Sequence, residues 1–130
     1  MQPDIYQQLA ELTENQDFTA IFQRLLDTKT VRLAHAAQGM STEVGEFTDV
    51  LKKWVFYGKP VDEVNLEEEL GDLMWYVAEA ANALGADLGK IMATNIDKLR
   101  ARYPDRFTEF DARNRNLDAE RKILEGDDNA

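Results

Sequence analysis

A chain of 130 residues, 44% hydrophobic and 31% charged, has room for one domain with a real core, and its composition is that of a globular protein rather than a disordered one. The net charge of -10 repels DNA, RNA and free nucleotides, so no nucleic-acid polymer is expected as a partner, and a phosphate ligand needs a cation or clustered Lys and Arg. Zero cysteines remove disulfides, thiolate zinc sites and a cysteine nucleophile. No apolar run long enough for a membrane span and no signal-peptide pattern at Met1-Gln2-Pro3-Asp4 set the expectation of a cytoplasmic protein with no membrane partner.

Apolar residues recur every three or four positions and nowhere alternate as in a half-buried strand, which predicts an all-α fold of four to five helices. Short helical signals come first, near Asp4 to Leu12 and Phe18 to Asp27, with Thr13 and Gln16 spaced as a capping box for the second. A central helix is predicted from about Thr30 to Tyr57, with Gly39 as a point of weakness; Gly58 and Pro60 end it. Asn65 is placed to cap the next helix, with Glu68 reaching back and Gly85 as the stop after Leu84. Asp87 caps a helix that runs to about Arg102 and closes at Tyr103-Pro104. Beyond Phe107 the chain reads as a charged C-terminal tail over 108–130, in which Leu117 to Leu124 has helical pattern and Gly126 to Ala130 reads as a loose end.

Glu43 and Glu46 are three apart in the central helix, and Glu69 and Asp72 three apart in the next, so each pair shares a face. On a helical wheel Leu66, Leu70, Leu73, Met74 and Val77 form the apolar stripe and the acids flank it; Met40, Val44, Phe47 and Leu51 do the same beside Glu43 and Glu46. Two antiparallel helices would bring these acidic shoulders together, and converging carboxylates repel unless a cation neutralises them. Oxygen-only ligands point to Mg²⁺, Mn²⁺ or Ca²⁺. With His35 the only imidazole, zinc and a Glu-x-x-His di-iron site are not expected. Spacing alone also accommodates solvated acid pairs, and Glu67 and Glu68 are explained by the dipole of a first helical turn.

The segments Gly39-Met-Ser-Thr-Glu-Val-Gly-Glu-Phe47, Leu66-Glu-Glu-Glu-Leu-Gly-Asp-Leu-Met-Trp-Tyr76 and Asn95-Ile-Asp-Lys-Leu-Arg-Ala-Arg-Tyr-Pro104 closely resemble the MazG-like nucleotide pyrophosphohydrolases. The family pattern of Glu-x-x-Glu, Glu-x-x-Asp and Asn-x-x-Lys is met in order, with 22 residues between Glu46 and Glu69. The resemblance runs from about Val31 to Phe107, inside one domain spanning 1–130. It implies an all-α NTP pyrophosphatase bundle in which Glu43, Glu46, Glu69 and Asp72 hold Mg²⁺, with Mn²⁺ as a substitute. The reaction it implies is hydrolysis of a nucleoside triphosphate to monophosphate and pyrophosphate, with nucleotide-pool housecleaning as the expected role and control of a deoxynucleotide pool or removal of an alarmone as open alternatives. It also implies a homodimer or homotetramer.

Asn95, Lys98 and Arg102 fall on one face of their helix and offer donors to phosphate or sugar; an ion pair is the alternative for Arg102. Lys53 lies seven residues from Glu46 on the same face, within reach of a phosphate, and Tyr76, four beyond Asp72, is the candidate for stacking on a base. Two rival readings remain: a non-catalytic helical interaction module, which Mg²⁺-dependent release of pyrophosphate would exclude, and a nucleotide sensor, which tight binding without turnover would favour.

Overall fold

The helical periodicity is realised throughout the computed structural model, which describes residues 2–126; among these there are seven α-helices and no strand. The chain divides into two compact units, up to Tyr76 and from Val77 onward, with the boundary inside the fourth helix. None of the helices is long and apolar enough to cross a membrane.

In the first unit, α1 (Pro3–Glu11) starts on Pro3, whose fixed φ suits a first helical position. Thr13 and Gln16 do not open the second helix. The Thr13 hydroxyl donates to the Ala10 carbonyl at 2.9 Å and the Gln16 amide to the Glu11 carbonyl at 3.0 Å, so they satisfy the orphan carbonyls that end α1. The cap of α2 (Phe18–Leu25) is Asp17, directly before it, which accepts from the Ala20 N–H at 3.1 Å.

Helix α3 (Thr28–Tyr57) opens where Asp27 accepts from both the backbone N–H and the hydroxyl of Thr30, at 2.8 and 2.9 Å. It passes through Gly39 unbroken, because one glycine costs a helix only about 1 kcal/mol relative to alanine and the ring of Tyr76 packs against this one. It stops at Gly58, whose φ of +64° is left-handed.

Helix α4 (Glu63–Leu84) begins two residues before Asn65. The cap is Asp62, which accepts from the Asn65 N–H at 3.1 Å; Asn65 therefore lies inside the first turn, with its side chain released from capping. Gly85, at φ +67°, ends the helix as expected. Gly39 meets Tyr76, Glu43 comes close to Glu69 and Asp72, and Val50 and Lys53 share a cleft with Asn65. That order, rising along one helix and falling along the other, makes α3 and the first part of α4 antiparallel neighbours.

In the second unit, α5 (Leu88–Arg102) is capped by Asp87, which accepts from the Lys90 N–H at 3.0 Å, and it ends at Tyr103, ahead of Pro104. The charged segment after Phe107 carries two more helices, α6 (Glu109–Arg113) and α7 (Leu117–Glu125), opened by Thr108 and Asn116. Helix α7 packs on α5. Of the loose end expected over Gly126 to Ala130, residues 127–130 lie outside the described residues.

Among the described residues, Ala36 and Ala81 are the buried apolar ones, and no large side chain is fully buried. Ile5, Leu9 and Leu12 on and just after α1, and Phe18, Phe22 and Leu25 on α2, are exposed.

Candidate functional site

Three of the four acids singled out by spacing converge. Glu43 from α3 and Glu69 and Asp72 from α4 each offer a carboxylate oxygen within 4.8 Å of the others. Antiparallel pairing produces this, since each helix presents its acids on the shoulder of its apolar stripe and the shoulders meet when the stripes do. Beneath them Val44, Phe47, Leu70 and Leu73 line a small apolar slot of about 110 Å³ with Glu43 and Glu69. Such a floor lowers the local dielectric and strengthens charge interactions above it.

The three differ in surroundings. Glu69 is buried, 5% exposed, Glu43 is half-buried and Asp72 exposed. Partial burial pushes the Glu43 carboxyl above the usual range, and the neighbouring Glu46, Glu69 and Asp72 push it the same way. Like charges held this close favour anything that neutralises them. Oxygens on one small hard cation, bonded at about 2.1 Å, stand about 3 to 4 Å apart. The three carboxylates are close enough to fit such an ion with small side-chain adjustment, and their all-oxygen chemistry suits Mg²⁺ or Mn²⁺ over zinc.

Glu46 lies outside this trio. It is exposed and lines an open cleft of about 380 Å³ with Asp49, Lys53, Asn65 and Glu69, so the trio borders the cleft through Glu69. Asp49, which the spacing argument does not single out, accepts from both Lys52 and Lys53, at 2.7 and 2.6 Å, and these ammonium groups hold its carboxyl down at about 2. Lys53 therefore stands at the cleft with its charge shared with Asp49. The signal was present in the i,i+3 and i,i+4 spacing of Asp49 with the two lysines.

Tyr76 and Trp75 line a second opening of about 370 Å³ with Glu43 and Asp72. The two rings meet edge to face at 5.0 Å, and His35 meets Tyr76 the same way at 5.6 Å. Tyr76 approaches so closely that a Cβ on Gly39 would stand 2.2 Å from its ring. The tyrosine is thus held in place beside the acids, and His35 is part of its support.

The remaining candidates lie on α5 in the second unit: Asn95 exposed, Lys98 half-buried, and Arg102 committed to an ion pair. Arg102 grips Glu120 of α7 bidentately, its Nε donating to Oε1 at 2.9 Å and its Nη2 to Oε2, and Arg115 donates to the same carboxylate at 3.2 and 2.6 Å. Glu120 is 5% exposed, and the two guanidinium groups hold its carboxyl down at about 2. A partner 18 residues away in sequence leaves no local spacing signal, so this clasp is visible only in the fold.

The fold and site thus define an all-helical protein in which Glu43 of a Glu-x-x-Glu pair meets both acids of a Glu-x-x-Asp pair on antiparallel helices, an all-oxygen cluster that could hold a metal ion. A family model, the MazG nucleotide pyrophosphohydrolase domain, matches residues 31–107, and the chain belongs to that family. The matched stretch includes every site candidate named above. The chain is also similar to the Gene 37 protein of Mycobacterium phage L5, 34% identical over 107 residues that cover 78% of this chain and 89% of that protein. No solved structure gives a significant match.

Proposed function

We propose that this protein is a Mg²⁺-dependent nucleoside triphosphate pyrophosphohydrolase that cleaves ribo- or deoxyribonucleoside triphosphates between the α and β phosphates, releasing monophosphate and pyrophosphate. The observation that carries the reading is the convergence of Glu43, Glu69 and Asp72 in a chain of this family. These residues would hold the cation, with Glu46 as the fourth acid at the edge of the cleft. When bound, Mg²⁺ supplies charge neutralisation for the phosphates and a lowered pKa for water; Mn²⁺ is the natural substitute.

The chain's own groups do the rest. Glu46, exposed at the cleft, is suited to orient and deprotonate the attacking water. Lys53 shares its charge with Asp49 and can turn towards a phosphate entering the same cleft. Tyr76, edge-packed beside Glu43 and Asp72, offers a ring face or hydroxyl to the base. Asn95 and Lys98 supply donors from α5 for sugar or phosphate. Arg102 enters as the anchor of α7, because the donors of its fork face Glu120.

The protein acts as one MazG-like domain, in the cytoplasm where nucleoside triphosphates are pooled, as a housecleaning enzyme. It works as a homodimer or homotetramer: the exposed apolar residues of α1 and α2 are best explained by a second copy that covers them. The test is pyrophosphate release from a panel of nucleoside triphosphates with Mg²⁺, comparing wild type with Glu69→Gln and Asp72→Asn. Turnover of one or a few nucleotides, lost in both variants while circular dichroism stays helical, is the expected result. Tight nucleotide binding without turnover would replace the reading with that of a sensor.

A further inference from the structure

The most buried acid of the candidate centre has a dedicated donor. Asn65 lies one turn before Glu69 on α4, and its Nδ2 donates to Glu69 Oε1 at 2.7 Å. The same amide group reaches Glu68 Oε2 only at 3.5 Å. Because Asp62 takes over the start of the helix, the Asn65 side chain is not needed as a cap. It is half-buried and lines the cleft that Glu46 and Glu69 share.

We propose that Asn65 is a positioning residue for the metal centre: its amide fixes the rotamer of Glu69 so that the carboxylate is presented to the cation. This rests on the reading of Glu43, Glu69 and Asp72 as the metal ligands. A glutamate has three side-chain torsions, and two neighbouring acids push Glu69 away from the position a cation needs. One hydrogen bond on Oε1 removes most of that freedom and leaves Oε2 for the ion. The donor is neutral, so it neither competes with the cation, as a lysine would, nor adds repulsion, as another acid would. Donors that orient ligating groups in this way typically contribute about 10- to 100-fold to metal affinity.

The experiment is Mn²⁺ binding to the full chain without nucleotide, read from the electron paramagnetic resonance signal of the unbound ion. Wild type is compared with Asn65→Leu, which keeps the shape without the donor, and Asn65→Ala, which has high helix propensity and folds even if the leucine is not tolerated. Glu69→Gln reports on the centre itself, and Asp62→Ala weakens the same helical turn without touching Glu69. The expected result is a loss of affinity of about tenfold or more in both Asn65 variants, a comparable or larger loss in Glu69→Gln, and a change under about twofold in Asp62→Ala. If the Asn65 variants bind like wild type while Glu69→Gln does not, positioning by Asn65 is refuted and the centre stands. Equal losses in Asp62→Ala and the Asn65 variants would assign Asn65 a purely structural role and also refute it. If wild type binds no Mn²⁺, the centre itself fails and the proposal falls with it.

Discussion

Replacing glycine by alanine inside a helix ordinarily stabilises it by about 0.5–1 kcal/mol, and the two central helices carry glycines for which opposite signs are expected. At Gly71 a new Cβ meets nothing within 4 Å, so Gly71→Ala should realise the ordinary gain. At Gly39 it would stand 2.2 Å from Tyr76 Cε1 and 2.3 Å from Cδ1 and Cζ. The ring would have to retreat by more than an ångström, against edge-to-face contacts with Trp75 and His35. Forced overpacking of this kind costs about 1–3 kcal/mol, which set against the helix gain leaves Gly39→Ala net destabilised by about 0–2.5 kcal/mol, with a midpoint of about 1.2 kcal/mol. For a chain of this length that midpoint is a fall in Tm of roughly 4–5 °C, against a rise of about 2–4 °C for Gly71→Ala. Thermal and urea denaturation of both variants measure this directly. A double-mutant cycle isolates the cause, because with Tyr76→Ala in place Gly39→Ala should become neutral or stabilising. Gly39→Ala raising Tm as Gly71→Ala does would refute the claim that the close approach of Tyr76 requires a glycine there.

Mg²⁺ at constant ionic strength should raise the Tm of the wild type, because an ion that binds only the folded acids adds stability in proportion to RT ln(1 + [Mg²⁺]/Kd); differential scanning fluorimetry of Glu43→Gln and Asp72→Asn should show that rise reduced or absent. The Glu120 carboxyl, held at about 2 against an ordinary 4.5, contributes stability that is fully present above pH 4.5 and lost as pH falls towards 2. The urea midpoint of Glu120→Gln should therefore be lower than wild type at neutral pH and fall less steeply over that interval; a wild-type slope in the variant would show that the two arginines do not hold that proton off. Arg102→Lys should not replace Arg102, since an ammonium cannot reproduce the bidentate fork on Glu120, and amide hydrogen exchange in α7 should accelerate in the variant.

The amino-acid sequence alone determined the helical class and most of the helix ends, because these depend on short-range physics. Gly58 and Gly85 end their helices in left-handed geometry and Asp87 caps α5, as their local patterns require. Spacing also placed Glu43, Glu69 and Asp72 on faces able to meet, and the order of the acidic motifs carried the family. Caps were less legible where several polar residues competed. Asp17 and Asp62 took the positions offered by Thr13 and Asn65, and the actual start of each helix decided between them. Only the tertiary structure separated Glu46 from the acidic trio, because a wheel gives the angle of a side chain around its own axis but not the offset of one helix along another. The same limit hid the Arg102–Glu120 clasp and the contact of Tyr76 with Gly39, both made between residues far apart in sequence. Local sequence sets what each face offers; the register of one helix against the next decides which offers are met.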